Sequence, residues 1–183
     1  MKKLGLLVSL LFATSLVFAD SSTTQTQAPN NSVDQEIVAT VVAVNNNEIG
    51  AADIALKKAS DKKVKKYAKK MKKEHSKNLE KVMALSKKLQ ITPQDTDKVN
   101  SLKQAGQQEA KDLNALTDKD FDKAYMDDMV KDHEAALSTL DGFLQQVSNP
   151  KLKKFLEDTR THVAHHLEKA KEIQSKLNQA QAS

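Results

Sequence analysis

The sequence predicts an all-α fold, a bundle of four long helices, and three observations support this prediction. Apolar residues recur at alternating steps of three and four through four segments of nearly equal length. No segment alternates apolar and polar residues with the period of a half-buried strand. Only four glycines and three prolines interrupt the 183 residues, so long helices are allowed. About 150 residues form the predicted bundle, which is enough for one domain with one core.

The N-terminal residues predict a secretory signal rather than a part of the fold. Lys2 and Lys3 precede an apolar run over residues 4–18, and small residues allow cleavage after Ala19. No second apolar run follows, so we expect no stable membrane span. The chain has no cysteine, which excludes disulfides and a lipoprotein anchor. These features predict a periplasmic or secreted protein with a signal peptide over residues 1–19.

The remaining chain divides into a polar linker, a helical domain and a short tail. Residues 20–32 are rich in Ser, Thr, Gln and Asn and predict a disordered linker, with Ser32 as the N-cap of the first helix. Ser60 or Asp61 is placed to cap the second helix, and Thr117 or Asp118 the third long one. The bundle domain covers residues 33–179, before a tail at 180–183. Its helices are predicted at 33–59, 62–90, 96–116, 119–148 and 150–179.

The connections between these helices predict how they are arranged. Helices 33–59 and 62–90 are joined by very few residues, which makes them antiparallel neighbours. The segment 90–118 contains the weaker helix 96–116, which spans about 30 Å and can return along the bundle. This long crossover is typical of the ferritin-like bundle, in which the long helices two and three run parallel.

Composition excludes several classes of function. The formal net charge is +5, and loss of Lys2 and Lys3 with the signal peptide reduces it to +3. Arg160 is the only arginine and aromatic residues are few, so nucleic-acid binding is not expected. No nucleophilic triad, phosphate-binding glycine loop or reactive thiol is present. If the protein is an enzyme, a metal ion must perform the chemistry.

One metal-capable residue interrupts the apolar stripe of each long helix near its middle. These residues are Glu48, His75, His133 and His166. Midpoints of equally long, paired helices lie at one level, so four inward side chains can meet there. One carboxylate and three imidazoles suit zinc, copper, iron or manganese. The sequence therefore predicts a site for a single transition-metal ion in the core, in a protein that acts in envelope stress protection.

Neighbouring residues add to this prediction. Glu74 and Asp132 each precede a histidine of the quartet and are candidate hydrogen-bond acceptors for the imidazoles, as is Asp158. His162 lies one turn before the last quartet residue and could supplement it, whereas His165 should point outward. Two methionines, at positions 71 and 129, each lie one turn before a quartet histidine and would favour copper.

Three alternatives remain open at this stage. The quartet could form a metal-free hydrogen-bonded network inside a non-catalytic interaction module of the envelope. Ten lysines between Lys57 and Lys73 form a solvated face, or else one that contacts an anionic surface weakly. Buried histidines could also act as a pH sensor. Tyr125 and Asp122 are expected to pack and hydrogen-bond near one end of the bundle, without a chemical role.

Several segments resemble an exported bacterial family known only as domain of unknown function 4142 (DUF4142). They are Glu48-Ile49, VKKYAKKMKKEH ending at His75, FDKAY from Phe121, MVKDH ending at His133, and His166-Leu167. The resemblance covers about residues 33–177 and implies a ferritin-like four-helix bundle without an established activity. The family commonly has Gly where Asp118 stands here, and Pro near Thr159. The sequence contains no Glu-x-x-His pair, which excludes the di-iron ligand set of ferritin-like proteins.

Overall fold

The structure, a computed structural model, describes residues 31–182, and this part of the chain contains five helices and no strand. The helices are α1 (Ser32–Lys58), α2 (Lys62–Leu89), α3 (Asp97–Ala115), α4 (Asp118–Gln146) and α5 (Pro150–Ala182). The predicted all-α class is confirmed, and α5 continues beyond its predicted end at residue 179. The predicted signal peptide and the linker up to residue 30 lie outside the described residues.

Side-chain caps fix where the helices begin. Asn31 caps α1 by accepting a hydrogen bond from the amide of the residue two positions on, at 3.0 Å, so the cap lies one residue before the predicted Ser32. Asp61, one of the two predicted candidates, caps α2 in the same way. Asn149 accepts from the first-turn amides of α5, directly before Pro150 at the first helical position.

Contacts at the two ends of the bundle establish its topology. The Ser60 amide, just after α1, donates to Asp122 near the start of α4 at 3.0 Å. The Ser148 amide, just after α4, donates to Asp34 near the start of α1 at 3.1 Å. Helices α1 and α4 are therefore antiparallel, and the short loop makes α1 and α2 antiparallel as well. Consequently α2 and α4 are parallel, as the predicted crossover requires.

The crossover helix α3 packs along α1, where a glycine allows a close approach. A Cβ atom at Gly106 would lie only 2.2 Å from the side chain of Asn47. The Asn47 amide donates to the Leu102 carbonyl of α3 at 3.0 Å, so the two helices are also joined by a hydrogen bond. The absence of a side chain at Gly106 thus lets α3 cover the outer surface of α1.

The core of the bundle consists of two apolar clusters separated by a polar layer. One cluster contains Met71, Met129 and Ala170, together with Phe121 and Tyr125. The other cluster, toward the opposite end, contains Val82, Leu140, Val163, Leu152 and Leu156. On α2, α4 and α5 one histidine lies between the residues of the two clusters: His75, His133 and His166.

The lysine-rich face predicted on α2 is exposed. Of the ten lysines between Lys57 and Lys73, Lys58 alone is half-buried, and its ammonium donates to the Asn114 carbonyl at 2.5 Å. The other nine lysines are exposed, which agrees with a solvated face. Within residues 31–182, none of the helices combines the length and apolar character needed to cross a membrane.

Candidate metal centre

Three histidines from three helices converge in the polar layer. His75, His133 and His166 are only 6%, 1% and 3% exposed. Their ring centroids are 5.8 Å apart for His75 and His133, 5.3 Å for His75 and His166, and 5.4 Å for His133 and His166. One nitrogen of each ring lies within 4.8 Å of the corresponding nitrogens of the other two. The structure thus brings three of the four predicted ligands together at one level.

The orientation of His75 is set by an asparagine on α1. The Asn45 amide group donates to the Val41 carbonyl at 2.8 Å and to the Asn78 side chain at 2.9 Å. Its Oδ1 therefore remains as the acceptor for His75 Nδ1, at 3.0 Å. Asn78 in turn donates to the Thr159 hydroxyl at 2.9 Å. This network places the proton of His75 on Nδ1 and leaves Nε2 with its lone pair.

The other two imidazoles are fixed by different acceptors. His133 Nδ1 lies 2.8 Å from the Met129 carbonyl, which can only accept, so the imidazole proton is on Nδ1. His166 Nε2 lies 2.5 Å from the Glu74 carboxylate. Partial burial raises the pKa of Glu74, but the hydrogen bond from His166 and the charges nearby outweigh this effect and lower it overall. The carboxylate therefore holds the His166 proton on Nε2.

One nitrogen of each histidine is left without a hydrogen-bond partner in the described part of the chain. These atoms are His75 Nε2, His133 Nε2 and His166 Nδ1, and all three are buried. Each unpaired buried acceptor costs about 1–3 kcal/mol, so the cluster as a whole destabilises the metal-free fold. A cation bound to the three lone pairs would offset this cost. The remaining ring nitrogens bind a carbonyl, a carboxylate and an amide, as the outer nitrogens of metal-bound histidines commonly do.

Burial keeps the three imidazoles in the form that can bind a metal. Desolvation and the neighbouring His166 together lower the pKa of His133 to about 4, although the hydrogen bond to the Met129 carbonyl acts in the opposite direction. Desolvation likewise lowers the pKa of His75 well below its usual value, with repulsion from the other two imidazoles adding to the effect. For His166, desolvation outweighs the opposing influence of Glu74, so its pKa is also lowered. All three are therefore neutral at pH 7 and offer lone pairs.

Glu48, the fourth predicted ligand, adjoins this cluster but approaches it from another side. Its Oε1 lies 3.6 Å from His133 Nδ1, the nitrogen that already bonds to the Met129 carbonyl. Its Oε2 is buried without a partner, and the group of nitrogens within 4.8 Å of one another does not include Glu48. Desolvation, together with the negative charge of Asp132, raises the pKa of Glu48 to about 8. A nearby cation would stabilise its ionised form.

The neighbouring residues singled out in the sequence have different roles. Glu74 accepts a hydrogen bond from His166 on α5, and not from His75, which follows it in the sequence. Asp132 instead interacts with Glu109 of α3, and Asp158 pairs with a lysine on the surface. His162 and His165 are both exposed. The acceptor role of Asn45 was missed, because an asparagine beside an apolar stripe carries no signal of its own.

Buried aromatic and thioether side chains lie on one side of the histidine layer. Met71 and Met129 are both in the apolar cluster on that side, together with Tyr67 and Tyr125. The tyrosine rings meet edge to face at 6.4 Å, and the Tyr67 hydroxyl donates to the His166 carbonyl at 3.3 Å. Desolvation raises the pKa of both phenols, so they are protonated at neutral pH.

The expected structural role of Asp122 is also visible. Its carboxylate is 2% exposed and accepts hydrogen bonds from the Ser60 amide, the Ser60 hydroxyl and the Asp61 amide. These bonds tie the α1–α2 loop to the first turn of α4. Asp122 therefore stabilises the end of the bundle, away from the histidines.

A cavity of about 630 Å³ lies beside the histidine layer. Glu48, His75 and His166 line it, together with apolar side chains of α1, α4 and α5. Exposed residues of the lining mark two openings to solvent. They are Lys98, Ser101, Ala105 and Ala135 between α3 and α4, and Lys73, Lys77, Lys81 and His162 between α2 and α5. The histidine layer can thus be reached from the surface.

Comparisons with known proteins identify similar sequences and folds. The family model described as a domain of unknown function, DUF4142, matches residues 19–173. The crystal structure of a DUF305 fragment from Deinococcus radiodurans is similar, with a TM-score of 0.72 and 11% identity over 81% of this chain and 99% of that chain. The crystal structure of a putative secreted DUF305 protein from Streptomyces coelicolor is also similar, with a TM-score of 0.69 and 11% identity. The match covers 80% of this chain and 94% of that chain. No curated protein matches. At this identity the likeness shows the fold alone.

Proposed function

The protein belongs to the DUF4142 family, because the family model spans most of its length, and we propose that it binds one transition-metal ion through His75, His133 and His166. One observation carries the proposal. One nitrogen of each of the three imidazoles lies within 4.8 Å of the others, and each ring has one buried nitrogen without a partner while its opposite nitrogen is held by an acceptor. This arrangement supplies three oriented lone pairs and no competing protons.

The chemistry of the donor set limits which ions fit. Imidazole nitrogen suits zinc, copper and iron, and a carboxylate oxygen nearby extends the range to manganese. Glu48 supplies that carboxylate, and its negative charge would compensate part of the charge of the buried ion. We therefore assign the three histidines as ligands and Glu48 as the adjoining anionic partner. The thioethers of Met71 and Met129 favour copper within this group.

We place this binding outside the cytoplasm. The charged and apolar residues before Asp20 have the pattern of a cleavable signal, and one structural neighbour is described as a putative secreted protein. An exported protein with one buried metal site would sequester ions that otherwise react in the envelope. This role in stress protection rests on the metal site and fails with it.

Metal analysis of the full chain, expressed with its signal and purified without an affinity tag, tests the proposal. Wild-type protein should hold about one ion per chain, and His75→Ala and His133→Ala should hold almost none. His165→Ala is the matched control, because this exposed histidine lies next to a proposed ligand on α5. Glu48→Gln should bind about 10–100-fold more weakly without losing the site. Equal, negligible metal in wild type and histidine variants would end the proposal.

A metal-free interaction module is the second candidate, favoured by the exposed lysines of α2. The eight lysines of α2 up to Lys73 are all exposed, so this surface is available to an anionic partner. Under this alternative the histidine layer affects stability alone, and His133→Leu would be neutral or stabilising. Binding to anionic vesicles that is lost when the lysines of α2 are replaced by glutamine would support it. Zinc-dependent stabilisation of wild type, absent from His133→Leu, would contradict it.

A further inference from the structure

A group of carboxylates lies between the crossover helix and the metal centre, in a protein that is otherwise basic. Glu109 of α3 and Asp132 of α4 interact through a side-chain hydrogen bond, and Asp128 lies close enough to act on both. The formal net charge of the whole chain is +5, so its long-range field repels cations. A local concentration of carboxyl groups at this position therefore requires an explanation.

The same carboxylates line the cavity that leads to the histidines. Glu109, Asp132 and Glu48 all belong to its wall, together with His75 and His166. Glu48 is 6% exposed and its Oε2 has no partner, whereas Glu109 and Asp132 are half-buried, so Glu48 is the innermost of the three carboxylates. The influence of Asp132 on Glu48, and of Glu48 on Glu109, shows that they act on one another electrostatically.

Basic groups compensate this acidic group only in part, because Lys131 acts on Asp128 whereas the charges around Glu109 are all acidic. The charges that act on Glu109 are those of Asp132, Asp128 and Glu48, and burial together with these charges raises the pKa of Glu109 to about 9. Within residues 31–182, neither Glu109 nor Asp132 forms a salt bridge, whereas nearby Asp127 pairs with Lys123 at 2.5 Å. A cation could therefore neutralise this pair without displacing a lysine.

From this arrangement we propose that Glu109, Asp132 and Glu48 form the access route by which a divalent cation passes from the α3–α4 opening of the cavity to the three histidines. Oxygen ligands bind an incoming hydrated cation weakly and release it to the imidazoles, which bind it more tightly. The other opening is less suited to this role, because Lys73, Lys77 and Lys81 surround it, whereas the α3–α4 opening has Lys98 alone, which pairs with Glu36 at 3.5 Å. The inference rests on the proposed metal site and concerns how that site is filled.

Stopped-flow mixing of the metal-free protein with Co²⁺ tests the route, since the ion's visible absorption bands change when imidazoles replace water. The test variant is Glu109→Gln/Asp132→Asn, which removes both carboxyl groups of the pair with little change in shape. The matched control is Glu80→Gln/Glu134→Gln, which removes two exposed carboxylates outside the cavity lining. We expect the association rate of the test variant to fall about tenfold or more while one ion per chain still binds, and that of the control to stay within about twofold.

The dependence on salt is a second readout that needs no variant. The wild-type rate should fall several-fold between about 0.01 M and about 0.3 M NaCl, because screening weakens the attraction of the carboxylates. Wild-type loading rates in the test variant, equal slowing in test and control, or a rate that does not depend on salt would each overturn the route while leaving the metal site intact. A wild-type protein that binds no Co²⁺ would overturn the metal site itself, and the route with it.

Discussion

Replacing Asn45 by alanine should weaken metal binding although Asn45 is not a ligand. Its Oδ1 is the acceptor that fixes the proton of His75 on Nδ1, at 3.0 Å, and so leaves Nε2 as the nitrogen with the lone pair. Loss of such an acceptor typically costs 10–100-fold in metal affinity, which corresponds to about 1.4–2.7 kcal/mol. We therefore expect Asn45→Ala to raise the Kd for Zn²⁺ by about 10–100-fold.

The same substitution should destabilise the fold, and the two effects can be separated. Asn45 makes hydrogen bonds at 2.8, 2.9 and 3.0 Å, so its loss leaves several polar groups unpaired, at about 1–3 kcal/mol each. Asn78→Ala is the control, because it disrupts the same network without touching His75. Asn45→Asp keeps an acceptor for the imidazole. We expect Asn78→Ala to lose stability with little loss of affinity, and Asn45→Asp to retain most of the affinity.

The assay is competition for Zn²⁺ against a chromophoric chelator, with urea unfolding of the metal-free proteins in parallel. The difference in Zn²⁺ affinity between Asn45→Ala and Asn45→Asp isolates the effect of the acceptor, because only Asn45→Asp keeps an oxygen that faces His75. If Asn45→Ala bound Zn²⁺ as tightly as wild type, the orientation of His75 would not matter. The three-histidine geometry would then lose its physical basis.

Three further predictions follow from other parts of the structure. Asp118 has a φ of 52°, so Gly at this position should be more stable than Ala by about 1 kcal/mol in urea unfolding, the reverse of the usual helix preference. Asp122→Ala leaves the α1–α2 loop amides unpaired and should destabilise by about 3 kcal/mol without changing Zn²⁺ affinity; a loss below about 1 kcal/mol would contradict this role. Finally, His133 has a pKa of 6.5 in the unfolded chain and about 4 in the fold, so between these pH values it binds a proton in the unfolded state and not in the folded one. Relative to His133→Leu, metal-free wild type should therefore lose about 3 kcal/mol as the pH falls from about 6.5 to about 4, and parallel pH profiles would refute it.

The fold could be predicted from the sequence because its signals are local and repeated. Apolar steps of three and four marked each helix, and the few residues between Lys58 and Lys62 required an antiparallel pair. The crossover followed from the length of the segment between the second and third long helices. The position of Asp118, where the family commonly has Gly, also agrees with the left-handed backbone found there.

The candidate site was predictable in its histidines but not in its finer contacts. Interrupted apolar stripes placed His75, His133 and His166 at one level, because equal helices pair at their midpoints. The same reasoning could not show which way each side chain leans within the layer, so it did not reveal that the Glu48 carboxylate approaches His133 at Nδ1. Contacts between helices distant in sequence, such as Glu109 with Asp132, leave no periodic signal.

X-ray absorption spectroscopy of the zinc-loaded protein tests the central claim most directly, since it counts the ligands of the ion itself. The geometry predicts scattering from three imidazole rings, with zinc–nitrogen distances of about 2.0–2.1 Å. His75→Ala should reduce the imidazole contribution, whereas His165→Ala should leave it unchanged. A shell of oxygen atoms without imidazole scattering would contradict convergence of the three histidines on one metal ion.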